Sequence, residues 1–167
     1  LNFRRVYFMF NKKLIFDRVK SVIFVCTGNT CRSPMAEGLM RKFLAEKGVN
    51  NVSVISRGIS VFEGSHASEN SILAIKKYNV DLSSHRAKPL TFEEINSAGL
   101  ILTMSKGHKS AILSSFPEYE DKVFTINEFA FKREKDISDP FGGSIDVYER
   151  CLDEIYECLK ETADKLY

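Results

Sequence analysis

The segment VIFVCTGNTCRSPMAE, residues 22–37, contains the strongest structural signal in the chain. Its apolar, β-branched beginning is typical of a buried strand, and this pattern stops at Cys26. A short polar loop follows. Ser33 and Pro34 then predict the start of a helix, as its N-cap and first helical residue. The order of strand, tight loop and helix places a thiol at the carboxyl end of a strand and Arg32 beside a helix N-terminus.

This loop has the chemistry of an anion site. A helix N-terminus presents unpaired N–H groups and a partial positive charge, and the guanidinium of Arg32 adds a planar fork. Gly28 and Asn29 tolerate positive φ, which lets successive N–H groups turn toward one centre. We expect phosphate to be bound by Thr27, Gly28, Asn29, Thr30, Cys31 and Arg32. The same field favours the thiolate of Cys26, which indicates phosphoryl transfer through a phosphocysteine.

Strand and helix patterns alternate along the rest of the chain, which predicts a parallel sheet with helices on its faces. Further strands are expected near 52–56, at 100–104 and near 123–125, and helices from 33 to about 48 and at 66–78, 106–115 and 144–166. Ligands of such sheets bind outside the carboxyl ends of the strands, where Cys26 lies. The segment 126–143 is expected to be a long loop that reaches the same edge, and loops of this length are often functional.

Length and composition indicate one globular domain. The 167 residues are 44% hydrophobic and have a net charge of +2, which gives no reason to expect a nucleic-acid partner. Residues 1–20 hold six Lys or Arg residues and one Asp. We therefore interpret residues 1–19 as a basic extension outside the fold. It is either an upstream misread start or a disordered tail, or else a basic aromatic helix on an anionic surface. Neither a membrane span nor a secretory signal is expected.

The four cysteines are too few for a disulfide scaffold, and a working thiolate fits a reducing cytoplasm. Cys151 and Cys158 share a helix face but lie about 10.5 Å apart along its axis, too far to bridge. We interpret them as buried core thiols. Two interpretations of Cys31 remain open: it packs beneath the loop, or it forms a reversible disulfide with Cys26.

A leaving group needs a proton, and the best candidate acid is Asp139, in Ser138-Asp139-Pro140. Pro140 biases Asp139 toward an extended conformation, which can hold a carboxyl at a loop tip over the site. The alternative is a turn-forming Asp-Pro on the surface. Asp136 and Asp146 are the rival carboxylates.

Taken together, these residues resemble the low-molecular-weight protein tyrosine phosphatase family. The resemblance rests on VCTGNTCRSPMAEG at 25–38, on Asp139-Pro140 and on SSHRAKPLT at 83–91, and it covers about residues 21–166. It implies an α/β three-layer sandwich, a four-stranded parallel sheet with helices on both faces, and one phosphatase domain at 20–167. It also implies that Cys26 is the nucleophile, Arg32 the phosphate binder and Asp139 the acid and then the base, with no metal or other cofactor.

The resemblance also implies a supporting set of polar residues around Asn29, which holds the loop in shape. The hydroxyl of Ser33 faces the thiolate, and Ser56 and His85 brace Asn29. Plain alternatives remain open: Ser33 is only a helix cap, and His85 is a surface histidine. His66 and His108 belong to no motif, and we interpret both as solvated or capping side chains.

Two departures bear on the substrate. Thr30 stands where tyrosine-specific members often have a bulky aliphatic residue, and Phe141 is the one aromatic residue after Asp139-Pro140, followed by two glycines. Both features resemble the bacterial protein arginine phosphatase branch of the family. We therefore expect a cysteine-dependent phosphatase acting on phosphoarginine in proteins, with Thr30 and Phe141 setting specificity. The alternative is the same chemistry on phosphotyrosine or small aryl phosphates.

Two other functional classes fit less well. Arsenate reduction through a similar loop needs further cysteines within reach, and none lies between Arg32 and Arg150. A non-catalytic phosphate-binding module would not need Cys26, Arg32 and Asp139 together. The expected partners are phosphorylated proteins.

Overall fold

The structure is a computed structural model that describes residues 19–167. The basic extension expected at 1–19 therefore lies outside the described residues, apart from Val19. This residue is buried and packs in the main hydrophobic core. The packed part of the chain thus includes at least Val19, one residue before the expected domain boundary.

Four parallel strands form one sheet in the order β2-β1-β3-β4. They are β1 (Ser21–Cys26), β2 (Ser53–Gly58), β3 (Leu100–Thr103) and β4 (Val123–Thr125). Strand β1 lies between β2 and β3, with Cys26 opposite Gly58 and Val25 opposite Thr103. After β1 the chain forms β2 on one side of it and then β3 on the other side. This reversal of direction opens a crevice at the carboxyl end of β1.

Helices cover both faces of the sheet. They are α1 (Arg32–Glu46), α2 (Glu69–Ile75), α3 (Phe92–Ser97), α4 (Lys106–Ser115), α5 (Ile126–Phe131) and α6 (Ile145–Leu166). Val22 and Phe24 of β1 pack in the core that includes residues of α1, α2, α5 and α6, whereas Ile23 and Val25 pack with residues of α3 and α4. Alternate residues of a strand point to opposite faces, so this division confirms the three-layer α/β sandwich.

Two helix boundaries differ from expectation. Helix α1 begins at Arg32 with Cys31 as its N-cap, so the prediction of Ser33 as N-cap and Pro34 as first helical residue is wrong. The hydroxyl of Ser33 is engaged with other side chains of the site instead. The helix expected at 66–78 is α-helical only over Glu69–Ile75, because the hydroxyl of Ser68 caps it, and a 3₁₀ turn follows at Lys76–Tyr78.

Two short helices were not expected. Helix α3 begins with a capping box of Thr91 and Glu94, and helix α5 with a capping box of Thr125 and Glu128. Helix α5 occupies the first third of the segment 126–143, so the interpretation of that whole segment as a loop is wrong. Both capping boxes are visible in the sequence, but each helix is only six residues long and shows too little periodicity to be recognised.

Cys151 and Cys158 are buried on α6, as the sequence predicts. Burial raises the pKa of each thiol to about 12, which makes both unreactive at neutral pH. Within the described part of the chain, no helix has the length and apolar character needed to cross a membrane.

Candidate active site

The segment from Thr27 to Cys31 (the anion loop) joins β1 to α1 at the carboxyl edge of the sheet. Of the two loop residues that tolerate positive φ, Asn29 adopts it (φ 55°) and Gly28 does not. The glycine that the loop requires is Gly58 in β2. A Cβ there would lie 2.5 Å from the carbonyl oxygen of Thr27 and 2.4 Å from Val61. The loop therefore packs on the neighbouring strand at a distance that only glycine permits.

The sulfur of Cys26 is buried and lies 3.0 Å from the hydroxyl oxygen of Ser33. This oxygen already accepts a hydrogen bond from the side-chain amide of Asn29 at 2.9 Å. Its own proton is left to donate, either to the sulfur or to the carbonyl oxygen of Arg57 at 3.3 Å. A thiolate only accepts hydrogen bonds, so Ser33 is placed to donate to Cys26 in its charged form.

Asn29 is the centre of the hydrogen bonds behind the loop. Its amide nitrogen donates to Ser33 and to the hydroxyl of Ser56, each at 2.9 Å, and its amide oxygen accepts from the N–H of Lys88 at 3.0 Å. His85 Nε2 donates to the main-chain oxygen of Asn29 at 2.7 Å. The structure thus brings together the three residues expected to support the loop, and it ties the left-handed turn at Asn29 to two distant segments.

Replacing Asn29 by alanine is expected to destabilise the protein by about 2–4 kcal/mol, because several buried groups lose their partner. Urea unfolding of wild type and variant measures this loss. The matched control is Asn79→Ala, since Asn79 also has a positive φ (57°) but is exposed. That control is expected to cost about 1 kcal/mol, the backbone penalty alone. Equal losses for the two variants would contradict the structural role of the hydrogen bonds.

Arg32 closes the loop. Its side chain is almost fully buried, with Nη1 donating to the carbonyl oxygen of Ile137 at 3.0 Å and Nη2 lying 3.1 Å from Asp139 Oδ2. Its Nε is buried and has no hydrogen-bond partner among the described residues. A buried donor without a partner costs free energy. Arg32 lines the cavity described below, where a bound acceptor could offset this cost.

Three contacts hold Asp139 above this site. The N–H of Ile137 donates to the carbonyl oxygen of Met104 at 2.8 Å, and Asp136 Oδ1 accepts from the N–H of Lys106 at the start of α4. Asp139 Oδ1 accepts from the N–H of Phe141 at 3.2 Å, which leaves Oδ2 facing Arg32. The rival carboxylate Asp136 is therefore engaged with α4.

These residues surround a cavity of about 230 Å³. Its lining consists of Cys26, Thr27, Gly28, Thr30, Cys31, Arg32, Asp139 and Phe141. Cys26 and Arg32 are buried at its floor, whereas Thr27, Asp139 and Phe141 are exposed at its rim. The cavity thus joins a thiol, a guanidinium and a carboxyl group, together with both residues expected to set specificity. The rival carboxylate Asp146 lies in the first turn of α6 and does not line the cavity.

Cys31 packs beneath the loop, in agreement with the first of the two interpretations. It is buried, and its sulfur lies 3.3 Å from the hydroxyl oxygen of Tyr148 and 3.5 Å from that of Ser68. Burial raises the pKa of Tyr148 to about 12, so this phenol stays protonated. Cys26 and Cys31 are both free thiols in this structure.

His108 is the residue that the sequence interpretation missed. It is buried, with Nε2 2.8 Å from Thr27 Oγ1, so the solvated alternative of its interpretation is wrong. Its Nδ1 lies 2.9 Å from the hydroxyl of Ser105, the N-cap of α4, which agrees with the capping alternative. Burial, and to a lesser degree the charge of Arg32, lower the pKa of His108 to about 4 against the opposing charges of Asp139 and Asp136. The imidazole is therefore neutral at pH 7. His66 is exposed, as expected.

No three His, Cys, Asp or Glu side chains of residues 19–167 are grouped so that they could hold a metal ion.

The family described as low molecular weight phosphotyrosine protein phosphatase matches residues 21–167. The chain belongs to this family. A protein-arginine-phosphatase of Bacillus subtilis is 43% identical over 145 residues, 87% of this chain and 95% of that protein. A low molecular weight protein-tyrosine-phosphatase, PtpB, of Staphylococcus epidermidis is 40% identical over 138 residues, 83% of this chain and 93% of that protein.

Solved structures of relatives share the fold. A mutant of the YwlE arginine phosphatase with a phosphorylated active-site serine has a TM-score of 0.83 and 42% identity, and the match covers 87% of this chain and 95% of that one. The family that the sequence motifs indicated is therefore confirmed, together with its four-stranded α/β fold.

Proposed function

We propose that this protein is a protein arginine phosphatase that works through a phosphocysteine on Cys26. The observation that carries the proposal is the cavity itself, with a buried sulfur at its floor, an unpartnered guanidinium N–H beside it and a carboxyl group at its rim. The B. subtilis relative is named for the same activity. The substrate is phosphoarginine within proteins. Because a working thiolate needs a reducing compartment, we assign the protein to the cytoplasm.

In the first step, the thiolate of Cys26 attacks phosphorus and the bond from phosphorus to the guanidinium nitrogen breaks. Asp139 donates a proton to the departing nitrogen, which leaves as arginine. The N–H groups of the anion loop and the guanidinium of Arg32 stabilise the charge on the three phosphoryl oxygens. These donors are in place before the reaction because Asn29 fixes the shape of the loop.

In the second step, water attacks the phosphocysteine and gives its proton to the carboxylate of Asp139. The bond between sulfur and phosphorus breaks, inorganic phosphate leaves and Cys26 returns as a thiolate. The hydroxyl of Ser33, 3.0 Å from the sulfur, stabilises the returning charge. The cycle leaves Asp139 protonated and ready to act again as the acid.

Without substrate, Arg32 holds Asp139 through Nη2. A bound phosphoryl group brings further anionic oxygens to Arg32 within the cavity. The guanidinium can form two parallel hydrogen bonds with these oxygens, and this pairing competes with its single contact to Asp139. We infer that substrate binding releases the carboxyl group of Asp139 toward the leaving group. The contact with Arg32 thus keeps the carboxyl group of Asp139 at the site until substrate binds.

The proposal is tested with two peptides of one sequence that carry either phosphoarginine or phosphotyrosine. We expect kcat/KM to be at least about tenfold higher for the phosphoarginine peptide, since discrimination of this size follows from one or two polar contacts. Release of inorganic phosphate measures both rates. No detectable hydrolysis of the phosphoarginine peptide would overturn the proposal.

A second candidate function is hydrolysis of phosphotyrosine. The exposed ring of Phe141 at the rim favours it, because an aromatic wall suits a phenyl leaving group, and the S. epidermidis relative is named as a tyrosine phosphatase. A preference for the phosphotyrosine peptide in the same assay would assign this function instead.

Thr30→Ile is expected to shift the preference toward phosphotyrosine. Thr30 lines the cavity, and a larger aliphatic side chain there removes a hydroxyl and narrows the space beside the leaving group. The ratio of kcat/KM for phosphoarginine over phosphotyrosine should fall about tenfold or more. Thr30→Ser, which keeps the hydroxyl, is the control and should retain most of the ratio. An unchanged ratio in Thr30→Ile would show that Thr30 does not set the preference between phosphoarginine and phosphotyrosine.

A further inference from the structure

The side chain of Thr27 takes no part in the two steps above, which use only the backbone N–H groups of the anion loop. Its side chain is exposed at the mouth of the cavity that has Cys26 at its floor. A nucleophile and a leaving group lie on opposite sides of phosphorus in this reaction. The groups at the rim therefore face the leaving group, and Thr27 and Asp139 are both among them.

His108 fixes the hydroxyl of Thr27. The two side chains are 81 residues apart in the sequence, and Nε2 lies 2.8 Å from Oγ1. The other ring nitrogen lies 2.9 Å from Ser105 Oγ, which also accepts from the N–H of His108 at the start of α4. The imidazole is thus held at both nitrogens, and it limits the rotation of a threonine that would otherwise turn freely in solvent.

Both tautomers of His108 leave Thr27 able to accept a hydrogen bond at the rim. If Nε2 carries the proton, it occupies one of the two lone pairs of the hydroxyl oxygen and the other remains. If Nε2 is unprotonated, it takes the hydroxyl proton and both lone pairs remain. Because the imidazole is neutral at pH 7, no positive charge is added beside this acceptor.

We propose that Thr27, oriented by His108, accepts a hydrogen bond from the guanidinium of the departing arginine and thereby favours phosphoarginine over phosphotyrosine. A guanidinium has N–H donors beside the nitrogen that is released, whereas a phenol has no donor at the corresponding place. Thr27 is a specificity residue and His108 a positioning residue in this account. The inference rests on the proposed function and adds a second acceptor beside Asp139.

The test compares Thr27→Val, which has nearly the same shape without the hydroxyl, with Thr27→Ser, which keeps it. The ratio of kcat/KM for phosphoarginine over phosphotyrosine peptides is expected to fall about tenfold in the valine variant, the effect of one hydrogen bond in the transition state. The serine variant is expected to retain most of the ratio. An unchanged ratio in Thr27→Val, or equal losses in both variants, would overturn the role of Thr27.

A double-mutant cycle tests His108. His108→Leu is expected to lower the ratio in wild type but not in the Thr27→Val background, because His108 acts only through the hydroxyl. Equal effects in both backgrounds would overturn its positioning role. Failure of this inference is distinct from failure of the proposed function, since wild type would still prefer phosphoarginine in the first case and would not hydrolyse it in the second.

Discussion

Cys26→Ser is expected to lower kcat by about four orders of magnitude or more, while the variant still binds inorganic phosphate. A serine hydroxyl is not ionised at neutral pH, so it is a weak nucleophile. In the second step, the serine alkoxide would also be a much poorer leaving group from phosphorus than the thiolate of Cys26. Phosphate binding should persist because its ligands are the N–H groups of the anion loop and Arg32, which the substitution leaves in place. Steady-state kinetics and isothermal titration calorimetry measure the two quantities.

The matched control is Cys158→Ser. This thiol is also buried, but it lies on α6 beside Asn127, 3.4 Å from its amide oxygen, and does not line the cavity. A serine can make the same hydrogen bond, so kcat is expected to stay within about twofold of wild type. Near-normal turnover by Cys26→Ser would show that the sulfur is not the nucleophile.

Asp139→Asn is expected to lower kcat by about two to four orders of magnitude for substrates with poor leaving groups. An amide keeps the shape of the side chain and its contact with the N–H of Phe141, but it neither donates the proton nor later accepts one from water. The loss should be largest for alkyl phosphates and smallest for aryl phosphates whose phenols are acidic and leave without protonation. A series of substituted aryl phosphates measures this dependence.

Asp146→Asn is the control for Asp139, because this rival carboxylate lies in the first turn of α6, away from the cavity lining. Its kcat should remain close to that of wild type with every leaving group. If Asp139→Asn shows the same loss for all leaving groups, the carboxyl group does not protonate the leaving atom, and its role is limited to holding Arg32.

The sequence predicted the parts of the fold and site that depend on local pattern. The apolar run before Cys26 and the alternation of strands and helices were sufficient for the parallel sheet. Its topology then explains why the Cys26 loop and the segment with Asp139 meet at one edge. Thr30 lies in the first of these segments and Phe141 in the second, so both line the same cavity.

The rest depends on contacts between distant segments, which local pattern does not show. Ser33 looked like an N-cap because serine commonly caps helices, but its hydroxyl is shared between Cys26 and Asn29. His108 was interpreted as a solvated or capping side chain because no motif surrounds it, yet from α4 it contacts Thr27 of the anion loop, which lies 81 residues away in the sequence. The sequence did not show that position 58 requires glycine, because most of the atoms that crowd this position belong to the anion loop, which is distant in the sequence.

Covalent catalysis by Cys26 is tested by trapping the phosphoenzyme. Asp139→Asn is mixed with a fast aryl phosphate, quenched in acid within milliseconds, digested and examined by mass spectrometry. We expect the gain of one phosphoryl group on the peptide that contains Cys26, located on its sulfur, with no gain on the peptides that contain Cys151 or Cys158, which do not line the cavity. Phosphorylation of another residue, or continued turnover with no phosphorylated peptide at any quench time, would contradict covalent catalysis by Cys26.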